Sequence, residues 1–182
     1  MFISPITAGE ARGNSRPVTA AEFQRLALEG RDKLNEIQSA DWSTRGLDAK
    51  WDEIKRTLYA QVSKPWGGAT IDPRTGGELP QGADVYALSV TRETMSIRER
   101  ATWQEFDAAM DTARGRYAAE LARGGTYLGV FHDDDNARID IDPVTIVATS
   151  DDAEKIGAYT HAIGGAYHFA TGNGHFPPHV TG

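Results

Sequence analysis

Residues 126–148 read TYLGVFHDDDNARIDIDPVTIVA, and this stretch decides the fold. Thr126 to His132 is rich in aromatic and β-branched side chains and follows Gly124-Gly125, which marks a strand. Asp133-Asp134-Asp135-Asn136 is a turn, because short polar side chains bond to their own backbone there. Arg138 to Asp142 alternates, placing Ile139 and Ile141 on one face and Asp140 and Asp142 on the other. Strands joined by so tight a turn run antiparallel. Val144 to Ala148 continues past Pro143 as a third strand or as an extension of the second. A hairpin set among helices argues for an α+β class rather than a doubly wound parallel sheet. The expectation is a small, mainly antiparallel sheet with about four helices packed on one face.

On either side the pattern alternates between helix and strand. Asp84 to Val90 reads as a strand. Thr102-Trp103-Gln104-Glu105 is a capping box that opens a helical stripe of Trp103, Phe106, Met110, Ala113, Tyr117 and Leu121, closed by Gly124-Gly125. After the hairpin, Ser150 or Asp151 caps a helix carrying Ile156, Tyr159 and Ile163. Gly164-Gly165 ends it, and Ala166 to Ala170 is a last strand before the turn 171–174 and a short tail.

At the other end, Thr19 and Glu22 form a second capping box for a helix over about 20–39. A further helix follows Gly46, with Leu47, Trp51, Ile54, Leu58 and Val62 as its stripe and Pro65 as its stop. The two predict an N-terminal helical hairpin over 19–64. Residues 65–82 are dense in glycine and proline and read as a turn-rich loop, with Asp72 to Gly77 a tight turn that could join short strands. Residues 1–18 read as a flexible arm, so the expected organisation is that arm followed by one domain over 19–182, whose sheet-and-helix module spans 83–182.

The 182 residues suit one domain, and 40% hydrophobic with 25% charged content is ordinary for a globular chain. The sequence holds no cysteine, which excludes disulfides, thiolate metal sites and a cysteine nucleophile and suits a reducing compartment. The first residues lack a basic segment leading into an apolar run, so no secretory leader is expected. No run of about 18 apolar residues occurs, so no membrane span is expected either. Bases and acids number 11 and 12 over residues 1–90 but 8 and 14 over 91–182, so the net charge of −7 is concentrated in the second half. Nucleic acid is disfavoured as a partner, because phosphate binding needs clustered Lys and Arg. An acidic decoy that mimics DNA ranks last, since the charge is modest and local.

Two constellations carry candidate chemistry. His132, Asp133, Asp135 and Asp140, with His161 and His168 arriving later in the chain, could converge on a divalent metal ion as a small hydrolase would use it. The acidic turn is not an EF-hand loop, because from Asp133 the third ligand falls on Ala137 and the required glycine on Arg138. The plainer reading is a solvated hairpin tip and a wet sheet face, with no cofactor. His-Glu-x-x-His, Gly-x-Ser-x-Gly and phosphate-loop motifs are all missing from the sequence. The second constellation is aromatic. Trp42 and Trp66 stand beside loops near bases and are candidate interface anchors, with Arg12 and Arg16 in the arm.

The segments Tyr127 to Asp133, Ile139 to Val147, Asp152-Ala153-Glu154 and Gly165 to Phe169 resemble part of uncharacterised actinobacterial and actinophage proteins, over about a third of the chain. Some of those are similar to products encoded beside phage head genes. The resemblance implies a mobile-element or virion context and supplies no catalytic residues. The favoured expectation is a non-enzymatic interaction or assembly protein, cytoplasmic or virion-associated, that binds a protein partner or itself. The metal-dependent hydrolase is its rival.

Overall fold

The hairpin at the centre of the sequence is also the centre of the sheet. The computed structural model describes residues 19–35, 43–91, 93–160 and 166–175. Strand β4 (Thr126–Asp133) pairs antiparallel with β5 (Arg138–Val147), from Thr126 opposite Thr145 to Asp133 opposite Arg138. Four further strands flank them: β1 (Gly68–Ile71), β2 (Tyr86–Ser89), β3 (Met95–Arg98) and β6 (Ala166–His168). A last strand, β7 (Asn173–His175), closes the edge. The order is β1-β4-β5-β2-β6-β7, with β3 also on β5, and every pairing is antiparallel. Among the described residues five helices accompany the sheet: α1 (Ala20–Asn35), α2 (Arg45–Val62), α3 (Trp103–Arg116), the single turn α4 (Ala118–Leu121) and α5 (Ser150–Thr160). The α+β expectation holds.

Val144 to Val147 extends β5 rather than forming a new strand. Pro143 does not interrupt it, and the register explains why. One edge of β5 pairs with β3 through residue 141 and with β2 from residue 144. Pro143 falls in the gap between these partners, where its missing N–H leaves no ladder bond unmade, and its carbonyl accepts from Val90 N–H at 2.9 Å.

Cross-strand pairs share a face, so the register sorts the core. Val130, Leu128, Ile139 and Ile141 face α2 and α3, meeting Leu47, Leu58, Phe106 and Met110, all buried. Further along the same face Leu88, Val147 and Ala166 meet Leu26 of α1 and Ile156 of α5. Gly30 of α1 is required there, since a Cβ would lie 2.0 Å from the Ile146 carbonyl oxygen. The opposite face is apolar at one end only, where Tyr127, Val144 and Ile146 lie under Leu79, Val85 and Phe169 from loops. At its other end Phe131 stands opposite Asp140 and Gly129 opposite Asp142.

Three features differ from expectation. The stripe from Trp103 to Leu121 is not one helix. It breaks at Tyr117, whose hydroxyl accepts from Met95 N–H and donates to Glu93 C=O, both at 3.1 Å, so the phenol pins the start of β3. Strand β1 is one of the short strands that the 72–77 turn could join, with Ile71 bridging Glu78 across it, whereas β3 and β7 fall in segments read as undivided chain and as turn and tail. Helices α1 and α2 feed different hydrophobic clusters; the link between them, like the arm 1–18, lies outside the described residues. Both capping boxes form: Thr102 with Glu105 at α3, and Thr19 with Glu22 at α1.

Candidate functional site

His132 alternates with Val130 along β4 and so is carried onto the helix-covered face, where its side chain is 8% exposed. There it lies under the end of α2. Its Nδ1 is 2.8 Å from the Val62 carbonyl oxygen and 3.0 Å from that of Lys64. Carbonyls only accept, so Nδ1 carries the proton and the ring caps the terminal carbonyls of α2. Nε2 is buried and makes no hydrogen bond.

Two carboxylates stand in front of that nitrogen. Asp134 Oδ1 lies 3.6 Å away and Glu99 Oε2 3.8 Å away. Asp134 belongs to the β4–β5 turn. Glu99 follows β3 and reaches the turn because β3 pairs with β5, and Glu99 N–H donates to the Ala137 carbonyl at 3.1 Å. One ligand atom from each of the three residues falls within 4.8 Å of the others. Glu99 also has Arg100 beside it at 3.4 Å.

Of the residues singled out from sequence, only His132 belongs to this cluster. Asp133 is held in the turn: it accepts from Asn136 N–H at 3.2 Å and Asn136 Nδ2 at 2.6 Å, and faces Arg138 at 3.4 Å. Asp135 is at the exposed tip. Asp140 points to the other face, where the Ser96 hydroxyl donates to it at 2.5 Å and Arg138 Nε sits 3.0 Å away. His168 lies on β6, stacked on Tyr86 at 4.4 Å. Its Nε2 is 3.0 Å from Asp84 Oδ1 and its Nδ1 3.0 Å from Thr171 Oγ1. Trp42, Arg12, Arg16 and His161 lie outside the described residues. The sequence places Asp134 in the acidic turn without singling it out as a metal ligand, and gives no sign of Glu99. The signal for Asp134 was the acidic turn itself; for Glu99 there was none without β3.

Next to His132 along the strand, Phe131 faces outward and is 36% exposed. Trp66, in the turn between α2 and β1, is 53% exposed and lies 6.1 Å from the Phe131 ring centre to centre. Its φ of 58° is left-handed, which a bulky side chain adopts at a cost of roughly 1–2 kcal/mol. The flanking backbone enforces it. Gly67 N–H donates to Lys64 C=O at 3.0 Å, and His132 N–H donates to Gly67 C=O at 2.8 Å. Gly67 itself cannot be replaced, since a Cβ would fall 2.0 Å from the Gln61 carbonyl oxygen. A cavity of about 310 Å³ opens beside this corner, with Gln61, Lys64, Trp66, Glu78, Gln81 and Tyr167 among its walls.

A larger cavity, about 510 Å³, lies between α2, α3 and α4 and is bordered by Leu47, Trp51, Asp111 and Arg114. Its polar groups are engaged with one another. Trp51 Nε1 donates to Asp111 at 2.7 Å, Arg114 pairs with Asp48 and covers the Trp51 ring, and Lys55 sits 2.5 Å from Asp107 and 3.1 Å from Asp111. Burial pulls the Lys55 pKa down, but bonds to Asp107 and Asp111 outweigh it and the net direction is up. That cluster clamps α2 to α3 and leaves no group poised for chemistry.

The chain matches no protein-family model, no curated protein and no solved structure. No helix among the described residues is long and apolar enough to cross a membrane.

Proposed function

We propose that the chain is a non-enzymatic interaction protein that docks on a protein partner through the corner carrying Trp66 and Phe131. The observation that carries this reading is Trp66 itself: a tryptophan more than half exposed, in a left-handed backbone conformation and hydrogen-bonded on the side of its neighbours. Backbone strain persists only where the surroundings impose it, and it concentrates at functional positions. Tryptophan is also the side chain that most often dominates interface energetics. The neighbouring cavity has polar walls from Gln61, Gln81 and Glu78, which suits an extended segment laying one apolar side chain on the two rings and its peptide groups along those walls. The resemblance to actinophage proteins favours an assembly or virion-associated setting.

The hydrolase alternative is weaker. Neither of the two cavities described above is lined by Glu99, His132 or Asp134, whereas the exposed Trp66 forms part of the wall of one of them.

Site-specific photo-crosslinking tests the docking reading. A benzophenone side chain at position 66 should yield a defined protein adduct in the native host, and one at Lys155 should not. The variant Trp66→Ser/Phe131→Ser should compete for the same partner at least tenfold less well while melting within a few degrees of the parent. Equal labelling from both positions would sink the proposal, and an adduct of twice the chain mass would make the partner a second copy.

A further inference from the structure

We propose that Glu99, His132 and Asp134 form a binding site for a divalent first-row transition cation of the zinc or manganese class. An acidic turn alone would carry nothing. The deciding feature is the imidazole, whose side chain is more than nine-tenths buried and whose Nε2 has no hydrogen-bond partner. Its tautomer is already set. With Nδ1–H committed to the carbonyls of Val62 and Lys64, the Nε2 lone pair points at the two carboxylates. A ligating histidine characteristically has this support, its second nitrogen donating to a backbone carbonyl so that ring orientation and basicity are fixed.

The distances agree with this assignment. Tetrahedral bonds of about 2.1 Å place neighbouring ligand atoms about 3.4 Å apart. The nitrogen lies 3.6 Å from Asp134 Oδ1 and 3.8 Å from Glu99 Oε2, and the three ligand atoms fall within 4.8 Å of one another, so rotation of the two partly exposed carboxylates brings them into range. One imidazole nitrogen with two carboxylate oxygens is a donor set for zinc or manganese. Calcium requires six to eight oxygens. Two negative charges around a neutral ring balance a dication. The carboxylates are about a third exposed and open to water, which leaves an entry path and room for water to complete the coordination shell. A cation there would tie the end of α2, the turn after β3 and the β4–β5 turn together. None of this rests on the Trp66 surface.

The test uses the full chain after chelator treatment, titrated with Zn²⁺ and separately with Mn²⁺ by calorimetry and thermal melting. The parent should bind one ion and melt several degrees higher at saturation, because an ion bound only by the folded state stabilises it by mass action. The variant Glu99→Gln/Asp134→Asn keeps both shapes on surface turns and should bind at least tenfold more weakly. In nitrogen-resolved NMR of the parent, Zn²⁺ should move the His132 Nε2 resonance and leave that of His168 in place. Absence of heat and of a melting shift in the parent overturns the site. So does equal affinity in the double variant, which would place the ion on other histidines, or an unmoved His132 resonance.

Discussion

His132 and Asp142 both end in a buried acceptor atom with no hydrogen-bond partner, and both sit on the β4–β5 hairpin, yet their surroundings differ. His132 Nε2 faces two carboxylates beside the turn of the hairpin. Asp142, opposite Gly129, accepts from the Thr94 hydroxyl, 3.2 Å from Oδ2. Burial, the largest influence, pushes its carboxyl up to about 7; Thr94 pulls the other way, and nearby Asp140 pushes further up. A lone pair among negative charges invites a cation. A buried carboxyl beside another carboxyl takes a proton instead. The comparison separates an acceptor whose deficit a ligand can relieve from one that titration relieves.

The sharpest way to break that comparison is to remove the imidazole. His132→Ala deletes a buried ring and both bonds to the end of α2, and should destabilise the chain by about 2–4 kcal/mol in urea denaturation without added metal. His168→Ala removes a half-buried ring stacked on Tyr86 and should cost about 1 kcal/mol or less. Equal costs would mean that His132 is not the brace between α2 and β4.

Asp142 yields the next effect. Its folded pKa is raised, so between about pH 4 and 7 the unfolded chain gives up this proton while the folded chain keeps it. The unfolded state then binds fewer protons, and stability falls as pH rises through that window. Asp140, also raised chiefly by burial, acts in the same direction. Glu105 is held down at about 2, first by Arg98 and then by the Thr102 backbone, so its stabilising effect is lost only under more acidic conditions. Asp142→Asn should flatten the pH dependence above about pH 4 and stabilise the chain at pH 8 by an amount on the order of 1–3 kcal/mol. Urea midpoints at pH 5 and pH 8 decide it; a parent whose midpoint does not fall between them removes the protonated carboxyl from the comparison.

How much of this was legible follows from how local each cause is. The β4–β5 hairpin could be read in full, because alternation and a run of short polar side chains are local signals. The Thr102–Glu105 capping box could be read for the same reason. β3 could not, since Met95-Ser96-Ile97-Arg98 is short, half-buried and held by pairing with β5 rather than by its own pattern. Losing β3 also lost Glu99, whose approach to His132 is made by that pairing across more than thirty residues of sequence. Asp134 stood inside the quoted turn but looked no different from Asp133 and Asp135, because only the three-dimensional turn decides which carboxylate aims inward. His132 was named, although its burial and the tautomer set by α2 depend on a helix ending some seventy residues earlier.

The smallest effect concerns that turn. Ala137 has a φ of 52°, left-handed, just before β5 begins. Glycine adopts this conformation without the Cβ penalty, so Ala137→Gly should stabilise the chain, by about 1 kcal/mol or less once the greater freedom of the unfolded glycine is counted. Metal affinity should respond differently. The turn is also fixed by Asp133 accepting from Asn136, so easing the strain at 137 should leave Asp134 in place and Zn²⁺ affinity within about twofold. Asn136→Ala removes the Nδ2 bond, leaving only the backbone N–H, and should weaken Zn²⁺ binding more than it lowers the urea midpoint. If Ala137→Gly instead changed affinity strongly, backbone strain rather than the Asp133–Asn136 contact would be positioning the carboxylate, and the cation site would share with Trp66 a dependence on a left-handed residue.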